Sequence, residues 1–346
     1  MTRLLGIICF ISVCAVAQPH LVFDHAIGTD YRPEADHWMN VVAISTDGLT
    51  VAANGNFPGI PRSLYGEDLS LWTFADGRFL RRIPETPLVI SSDFHYFAAT
   101  TGVFNLQTGE SIFRPADKSQ TLGDAGFSPN EEYVAVTGAA SLRESKQTQI
   151  TVLRTKDGSV VSRFGSRYTR GLAFHPDNQT LASGHWNNVT LWDAQTGERL
   201  ALLAGPARNV DPTGYDRAGR YIYGVAFNPD GTLLAAGSDD GQLQIWNVST
   251  RKMLHAIQIG SEDVSTPAFS PDGRLVAAGT YADGTLSLLD VQSGKILSQI
   301  QVSMFGCGSV AFTPDGQFLL TPSNAGTLNN GHHTKGGSIR VYRVVP

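Results

Sequence analysis

The segment 268–279, with the sequence AFSPDGRLVAAG, contains the local signals that decide the fold. Ala268-Phe269 is typical of the end of a buried strand, and Pro271 cannot continue a strand because it has no backbone N–H. Asp272-Gly273 supplies the positive φ that a tight hairpin turn requires. The apolar run 275–279 then forms a second buried strand, so the segment predicts a β-hairpin.

The same phrase recurs along the chain, which is typical of a repeat fold. Each copy is followed by an alternating strand that ends in an aromatic or aliphatic residue, and then in most copies by a tight turn such as Thr196-Gly197. One unit therefore predicts a four-stranded antiparallel meander. The phrase lies at 126–130, 173–177, 226–231, 268–273 and 311–316, with degenerate copies at 44–48 and 90–93. The third strands of the units contain Trp72, Phe104, Leu153, Trp192, Trp246, Leu289 and Tyr342.

Seven third strands predict seven blades. The pattern resembles the WD40 family, in which a Trp-Asp dipeptide ends the third strand of each four-stranded blade. Trp192-Asp193 keeps this dipeptide, whereas the other copies do not, and most copies lack the family's Gly-His pair. The resemblance implies an all-β, seven-bladed β-propeller over essentially the whole mature chain. It also implies that Asp240 and Asp283 are structural residues that accept hydrogen bonds from neighbouring donors.

The two ends of the chain are predicted to close the ring together. The last unit stops after its third strand, while 20–27 contains an apolar strand ahead of the first unit. That strand would complete blade 7 and leave no open edge between the first and last units. We therefore expect one propeller domain over 18–346. Its blades lie at about 38–84, 85–117, 121–165, 168–204, 221–260, 263–302 and 306–346 plus 20–27.

Residues 1–17 have the pattern of a secretory signal peptide. Arg3 supplies a short positive region, 4–13 an apolar stretch, and 15–17 the small residues of a cleavage site. The apolar run is short for an uncleaved membrane anchor, and no later segment has the length of a transmembrane helix. We expect the mature chain to begin near Gln18, to contain no transmembrane segment, and to be exported to the periplasm or secreted.

Composition limits the classes of fold and partner. With 42% hydrophobic and 16% charged residues, the chain has the composition of a core-forming protein. Signal cleavage would remove Cys9 and Cys14, so that Cys307 remains alone and no internal disulfide is expected. Without Arg3 the net charge is −6 and there is no basic run, which argues against nucleic acid as the partner. We expect a monomer.

The two faces of the predicted disc differ in loop length. Turns between first and second strands and between third and fourth strands are short, whereas the long segments 54–68, 138–148, 205–220 and 322–337 fall on the other face. Insertions on one face of a repeat protein commonly build a binding surface. The candidate binding residues on this face are His37, Trp38, Arg143, Arg167, Tyr168, Arg170, His185, Trp186, Tyr215, Asp239, Asp240, Tyr281 and His332, with Tyr31, Tyr65 and Arg217 beside them.

Aromatic and arginine side chains dominate binding hot spots, which is the reason for these choices. About half of the candidates are expected to be structural. His332-His333 is a weak metal motif, because adjacent histidines chelate one ion poorly and no further ligand follows at a recognisable spacing. The acidic segments 238–241 and 282–284 are interpreted as hairpin turns rather than calcium loops. We expect no metal and no cofactor.

The function expected from these observations is an extracytoplasmic scaffold that binds a protein or peptide through its long-loop face. No nucleophile elbow, zinc-protease helix, phosphate-binding loop or haem motif is present in the sequence. Two alternatives remain open. One is a propeller enzyme of lactonase, hydrolase or quinoprotein type with His185, Arg170 and Asp239 at the channel mouth. The other is a glycan or small-ligand binder that uses Trp38 and Trp186.

Overall fold

The described residues form seven four-stranded antiparallel sheets and one short two-stranded hairpin. The computed structural model describes residues 18–27, 41–54, 68–116, 120–138, 148–166, 169–186, 188–205, 221–302, 306–323, 326–327, 333–334 and 338–346. Within these ranges the protein is a seven-bladed β-propeller without helix. No helix in the described ranges is long and apolar enough to cross a membrane. The predicted fold class is therefore confirmed.

Each blade is the predicted meander, with its first strand at the central channel and its fourth strand at the rim. Blades 1 to 4 consist of Val42–Ile44, Thr50–Asn54, Leu69–Thr73 and Phe79–Ile83; Pro87–Ile90, Tyr96–Ala99, Gly102–Asn105 and Ser111–Phe113; Leu122–Phe127, Tyr133–Gly138, Thr148–Arg154 and Val160–Ser166; Arg170–Phe174, Thr180–Gly184, Asn188–Asp193 and Arg199–Ala204.

The remaining blades follow the same order. Blades 5 and 6 consist of Ile222–Phe227, Leu233–Ser238, Gln242–Asn247 and Lys252–Gln258; Ala268–Phe269, Leu275–Gly279, Thr285–Asp290 and Ile296–Gln301. Blade 7 consists of Ala311–Phe312, Phe318–Ser323, Ser338–Val345 and the N-terminal strand His20–Ile27. A short hairpin of Gly326–Thr327 and His333–Thr334 branches from it. All seven predicted third strands are present.

The N-terminal strand closes the ring, as predicted. It pairs antiparallel with Ser338–Val345, from His20 opposite Val345 to Ile27 opposite Ile339. Ile27 is fully buried with Val42 and Trp72 of blade 1. An ion pair of 2.9 Å between Arg343 and Asp24 joins the two strands at the surface. The first and last blades are therefore held together by both hydrogen bonds and core packing.

The core lies between neighbouring blades rather than inside any one of them. Alternate residues of each strand point to opposite faces of its sheet, so every blade presents apolar side chains to both neighbours. Trp246 of blade 5, for example, packs in one cluster with Val189 and Leu203 of blade 4. Because each blade is covered only by its neighbours, the ring has to be complete for the core to be buried.

A recurring β-bulge shapes the channel wall. In blades 2 to 5 the pairing of the first strand with the second skips one residue near the start, which is Leu88, Gly123, Gly171 and Tyr223 respectively. A bulge changes the direction of the side chains next to it. These bulges all lie at the end of the channel where the long loops attach, and they set the side chains of that mouth.

Candidate functional site

The candidate site is the central channel and its mouth on the long-loop face. The channel encloses a cavity of about 570 Å³, which is within the range of small-ligand sites. Its wall takes residues from all seven blades, and most of them are apolar or uncharged, such as Val42, Leu88, Leu172 and Val310. Asp124 is the single carboxylate among the described residues of this wall.

Asp124 is held in place by backbone donors from two blades. Its Oδ1 accepts the N–H of Ala125 at 2.7 Å, and its Oδ2 accepts the N–H of Gly171 in blade 4. Gly171 has a φ of 64°, and a Cβ there would lie 2.9 Å from the Cα of Gly224, so glycine is required for the close approach. Burial raises the pKa of Asp124 to about 6, and the hydrogen bonds and nearby Arg170 offset only part of that effect.

Among the residues that the structure describes, the mouth next to Asp124 combines one cation, Arg170, with tyrosines and acids. The Arg170 guanidinium lies 5.0 Å from the centroid of the Tyr223 ring, in a cation–π contact between blades 4 and 5. Burial raises the pKa of Tyr223, and the neighbouring Asp263 charge raises it further. Burial also raises the pKa of Asp263, with a smaller contribution from Glu262. These groups therefore form one electrostatic cluster.

Tyr281 extends this cluster into the channel. Its side chain lines the cavity, and its backbone N–H donates to the Asp263 carbonyl at 2.9 Å. Burial raises its pKa to about 12, with further contributions from the charges of Cys307, Asp263 and Asp124. Its hydroxyl is therefore protonated at neutral pH and can donate a hydrogen bond to a ligand at the mouth.

An aromatic pair from blades 4 and 5 lies beside the cluster. The rings of Trp186 and Tyr221 are 4.5 Å apart between centroids, and their backbones form an isolated β-bridge. The N–H of Asp239 donates to the carbonyl of Tyr221 at 3.0 Å. All three residues are partly exposed. Large rings of this kind, fixed by the backbone, bury much area on binding at little cost in conformational entropy.

The predicted candidates divide into four groups, of which the last is His185 alone. Arg170, Trp186, Asp239 and Tyr281 lie at the mouth, as described above. Asp240 is partly exposed and accepts the Ser238 hydroxyl at 2.5 Å within a tight turn. His37, Trp38, Arg143, Arg167, Tyr168, Tyr215 and His332, with Tyr31, Tyr65 and Arg217, lie outside the described residues, and the binding role of every candidate stays a prediction.

His185 has a different environment from the other candidates. Its side chain is buried, and its Nε2 lies 2.8 Å from the Ser183 hydroxyl. The Ser183 Oγ in turn accepts the indole N–H of Trp192 at 2.7 Å. This hydrogen-bonded series ties the second strand of blade 4 to its third strand. The structure therefore places His185 among the groups that stabilise blade 4.

The two acidic segments considered for calcium are tight turns, as interpreted from the sequence. Gly241 has a φ of 80° and Gly284 a φ of 60°, values that favour glycine in a turn. Asp283 accepts a hydrogen bond from the Thr280 hydroxyl, as Asp240 does from Ser238. Both carboxylates thus stabilise the loop between second and third strands, which agrees with the structural role that the resemblance implied.

Four residues of the mouth were not singled out from the sequence: Asp124, Tyr221, Tyr223 and Asp263. Asp124 could have been noticed, because its position in the first strand corresponds to Gly171, Gly224 and Thr266 in later blades. A carboxylate in a strand that is otherwise neutral is an exception to the repeat. Tyr223 and Asp263 carry no such signal, since their proximity depends on how blades 5 and 6 are placed side by side.

A second polar cluster lies on the opposite face. Asp93, His95 and Glu131 could present their ligand atoms within 4.8 Å of one another. Both carboxylate oxygens of Glu131 already have donors, however: the N–H of Asp93 at 2.8 Å and the His95 ring at 2.7 Å. Glu131 has a φ of 56° at the turn position that blades 1, 5, 6 and 7 fill with glycine. We interpret the cluster as a bridge between blades 2 and 3.

Comparison with known families agrees with the architecture. A family model described as "WD domain, G-beta repeat" matches residues 157–193, 213–247 and 253–290. Each match ends with the third strand of a blade, and the first and last matches include the fourth strand of the preceding blade. The sequence repeat is therefore offset from the structural blade. The same offset explains why the N-terminal strand completes blade 7.

Several relatives align with part of the chain. WD repeat-containing protein VIP3 of Arabidopsis thaliana is 30% identical over 32% of this chain and 35% of its own length. WD repeat-containing protein SL1-17 of Schistosoma mansoni is 30% identical over 41% of this chain and 44% of its own. Actin-interacting protein 1 of Drosophila melanogaster is 25% identical over 46% of this chain and 24% of its own. The alignments thus span less than half of each relative.

Proposed function

Because this chain belongs to the WD40-like β-propeller family, we propose that it is an extracytoplasmic scaffold that binds a protein or peptide partner at the channel mouth on its long-loop face. The observation that carries the proposal is the cluster built by three consecutive blades: Arg170 and Trp186 from blade 4, Tyr221 and Tyr223 from blade 5, and Tyr281 from blade 6. Tyr, Trp and Arg are the residue types that most often dominate binding energy.

The relatives support a binding function in general terms. The name of the Drosophila relative describes it as an actin-interacting protein, and other relatives are named only for their WD repeats. Each of them shares less than half of its length with this chain, so the partner is not transferred. The support is for interaction with protein as the class of function, and the residues of the mouth supply the surface.

The enzyme alternative has less support from the geometry. His185 was one of the residues expected at the channel mouth for this alternative, but its side chain is buried in blade 4 and hydrogen-bonded to Ser183. A buried imidazole cannot reach a substrate held in the channel without a rearrangement of the blade. Of the two tryptophans in the glycan alternative, Trp38 lies outside the described residues, and Trp186, paired with Tyr221, suits a protein partner as well. Protein binding therefore remains the better-supported function.

A capture experiment with matched variants tests the proposal. The chain beginning at Gln18 is immobilised and exposed to native envelope extract, and bound proteins are quantified by mass spectrometry. Arg170→Glu reverses the only described cation of the mouth cluster. Arg154→Glu is the control, since Arg154 also lies over a tyrosine ring, 5.7 Å from the centroid of Tyr133, but at a turn on the opposite face. Both variants are first checked for an unchanged unfolding midpoint.

We expect a partner that the wild-type protein and Arg154→Glu retain equally and that Arg170→Glu loses by at least about tenfold. Equal capture by all three proteins would show that the partner binds elsewhere and would contradict the proposal for the mouth. For the location, expression of the full chain followed by N-terminal sequencing should give Gln18 as the first residue of the exported protein. Recovery of uncleaved protein inside the cell would contradict export.

A further inference from the structure

The central channel contains one ionisable acid in an otherwise neutral wall. The described lining residues include many aliphatic side chains, several hydroxyls and one amide, and Asp124 alone carries a carboxylate. An isolated charge in a mostly apolar cavity is costly unless it has a partner. No other blade has an ionisable side chain at this position of its first strand, where blades 1, 2, 4, 5, 6 and 7 have Val41, Pro87, Gly171, Gly224, Thr266 and Ser309.

The Asp124 carboxylate lines the channel and can accept further hydrogen bonds. Two backbone N–H groups, from Ala125 and Gly171, fix its plane and occupy one lone pair on each oxygen. A carboxylate can accept about four hydrogen bonds, so acceptor capacity remains. The pKa raised by burial to about 6 shows that these two donors leave the negative charge undercompensated. A cation in the channel would supply the missing compensation.

The surroundings of Asp124 favour a cation over an anion. Among the described ionisable residues at the mouth, Asp124, Asp239, Glu262 and Asp263 are acidic and Arg170 is basic. The Arg170 guanidinium is directed onto the Tyr223 ring. The protonated hydroxyl of Tyr281 lies close enough for the Asp124 charge to act on it. An ammonium group entering from the mouth would therefore pass acids and aromatic rings before it reaches Asp124.

We propose that the central channel binds an organic ammonium group, with Asp124 as its counter-ion and the aliphatic channel wall against its carbon chain. The source of the ammonium group is either a lysine side chain of a bound protein segment or a free small amine. If the ammonium group is a lysine side chain, the inference rests on the proposed function, because lysine would then be the residue of the bound protein that the channel recognises. The second source is independent of it.

The test begins with the wild-type protein, so that folding of variants does not enter. Binding of n-butylamine to the chain beginning at Gln18 is measured by ligand-observed NMR, with 1-butanol as the uncharged match. We expect n-butylamine to bind at least about tenfold more tightly than 1-butanol, because the alcohol cannot compensate the Asp124 charge. Equal affinities, or no binding of the amine, would overturn the proposal.

The pH dependence gives a second measurement on the same protein. Asp124 is mostly ionised at pH 7 and mostly protonated at pH 5, since its pKa is about 6. Tyr281 and Tyr223 stay protonated over this range because burial raises the pKa of both. Amine affinity should therefore fall about tenfold from pH 7 to pH 5. An affinity independent of pH would contradict the assignment to Asp124.

Variants then locate the site. Asp124→Asn keeps the shape and should lose the preference for the amine, whereas Asp157→Asn, at the exposed turn between the third and fourth strands of the same blade on the opposite face, should keep it within about threefold. Both variants are used only if their unfolding midpoints in urea match that of the wild-type protein. The measurements on the wild-type protein do not depend on this condition. Retention of the preference in Asp124→Asn would contradict the assignment to the channel, and its loss in Asp157→Asn would show that the preference does not depend on the channel.

The two sources are separated by the form of the amine. Tighter binding of Nα-acetyl-lysine amide than of n-butylamine and 1,5-diaminopentane would assign the site to a lysine side chain, and tighter binding of the diamine would assign it to free amines. The capture experiment with Arg170→Glu is read separately. A captured partner without amine binding would overturn only this inference, and amine binding without a captured partner would overturn only the proposed scaffold.

Discussion

Replacing Ser183 by alanine should destabilise the protein by about 2–3 kcal/mol, since two buried polar groups lose a partner at once. The Ser183 side chain is fully buried between the Trp192 indole N–H, at 2.7 Å, and the His185 Nε2, at 2.8 Å. An unsatisfied buried donor or acceptor costs about 1–3 kcal/mol. Alanine removes one oxygen and leaves too little space for water to replace it.

Two substitutions serve as matched controls. Ser70 of blade 1 is 1% exposed, and its hydroxyl has no hydrogen-bond partner within the described residues, so Ser70→Ala should be neutral to within about 0.5 kcal/mol or stabilising. Ala236 of blade 5 occupies the position that Ser183 has in blade 4. Each of the two residues lies two positions after the second-strand residue that pairs with the third-strand tryptophan, Trp246 or Trp192. The Trp246 indole N–H there has no partner in the described structure, so Ala236→Ser should stabilise by up to about 1 kcal/mol.

The assay is equilibrium unfolding in urea at pH 7, followed by tryptophan fluorescence and far-ultraviolet circular dichroism. The free energy of unfolding is compared at constant slope, because a changed slope would indicate a changed denatured state. The reasoning would be refuted if Ser183→Ala and Ser70→Ala had the same effect. That result would mean that burial of the hydroxyl, and not its hydrogen bonds, determines the energy.

Three further predictions concern ring closure, the thiol and pH. Ile27→Ala should lower the free energy of unfolding by about 2–4 kcal/mol, because the Ile27 side chain is fully buried in the cluster that joins blades 7 and 1. The control Val22→Ala, at a side chain that is 45% exposed on the same strand, should lower it by under about 0.5 kcal/mol in the same urea assay. Equal effects would show that the strand adds no packing. Cys307 is buried, and burial raises the pKa of its thiol to about 12. In the chain beginning at Gln18, this thiol should therefore react with an aromatic disulfide reagent at pH 8 only after unfolding. A reaction rate in the folded state equal to that in the unfolded state would contradict this. The pKa of Asp124 in the folded state, about 6, lies above its ordinary value of 3.8, so between these pH values the folded state binds a proton that the unfolded state has lost. The free energy of unfolding should therefore decline as pH rises from about 4 to about 6. Asp124→Asn should flatten that part of the stability curve, and an unchanged decline would assign the pH dependence to other groups.

The blades could be predicted because their signals are local. The turn phrase at 268–273 and its copies combine a strand end, a proline and a positive-φ position within six residues. Each of these acts through backbone geometry that neighbours in sequence determine. Even the degenerate copy at 90–93 forms its hairpin, with Phe94 at a φ of 59° in the position of the glycine. Burial of the Phe94 ring in the core of blades 1 and 2 offsets the cost of a positive φ at a residue other than glycine.

The site could be predicted only as a face. The long segments predicted a binding surface at one end of the disc, and Arg170, Trp186 and Tyr281 lie at that end because the loops between second and third strands and the links between blades always share one face. The same rule could not distinguish Asp239, at the mouth, from His185, buried against Ser183. Both residues follow a second strand, and only packing determines which one turns inward.

By itself the sequence determined the four-stranded unit, its sevenfold repetition and the closure by the N-terminal strand, since periodicity and turn chemistry act over a few residues. The tertiary structure alone decided that Asp124, Arg170, Tyr223, Asp263 and Tyr281 share one channel mouth. These residues are spread over 158 positions of the chain and meet because the ring brings the first strands of all blades to one axis. The burial that raises the pKa of Asp124 likewise exists only once that ring is closed.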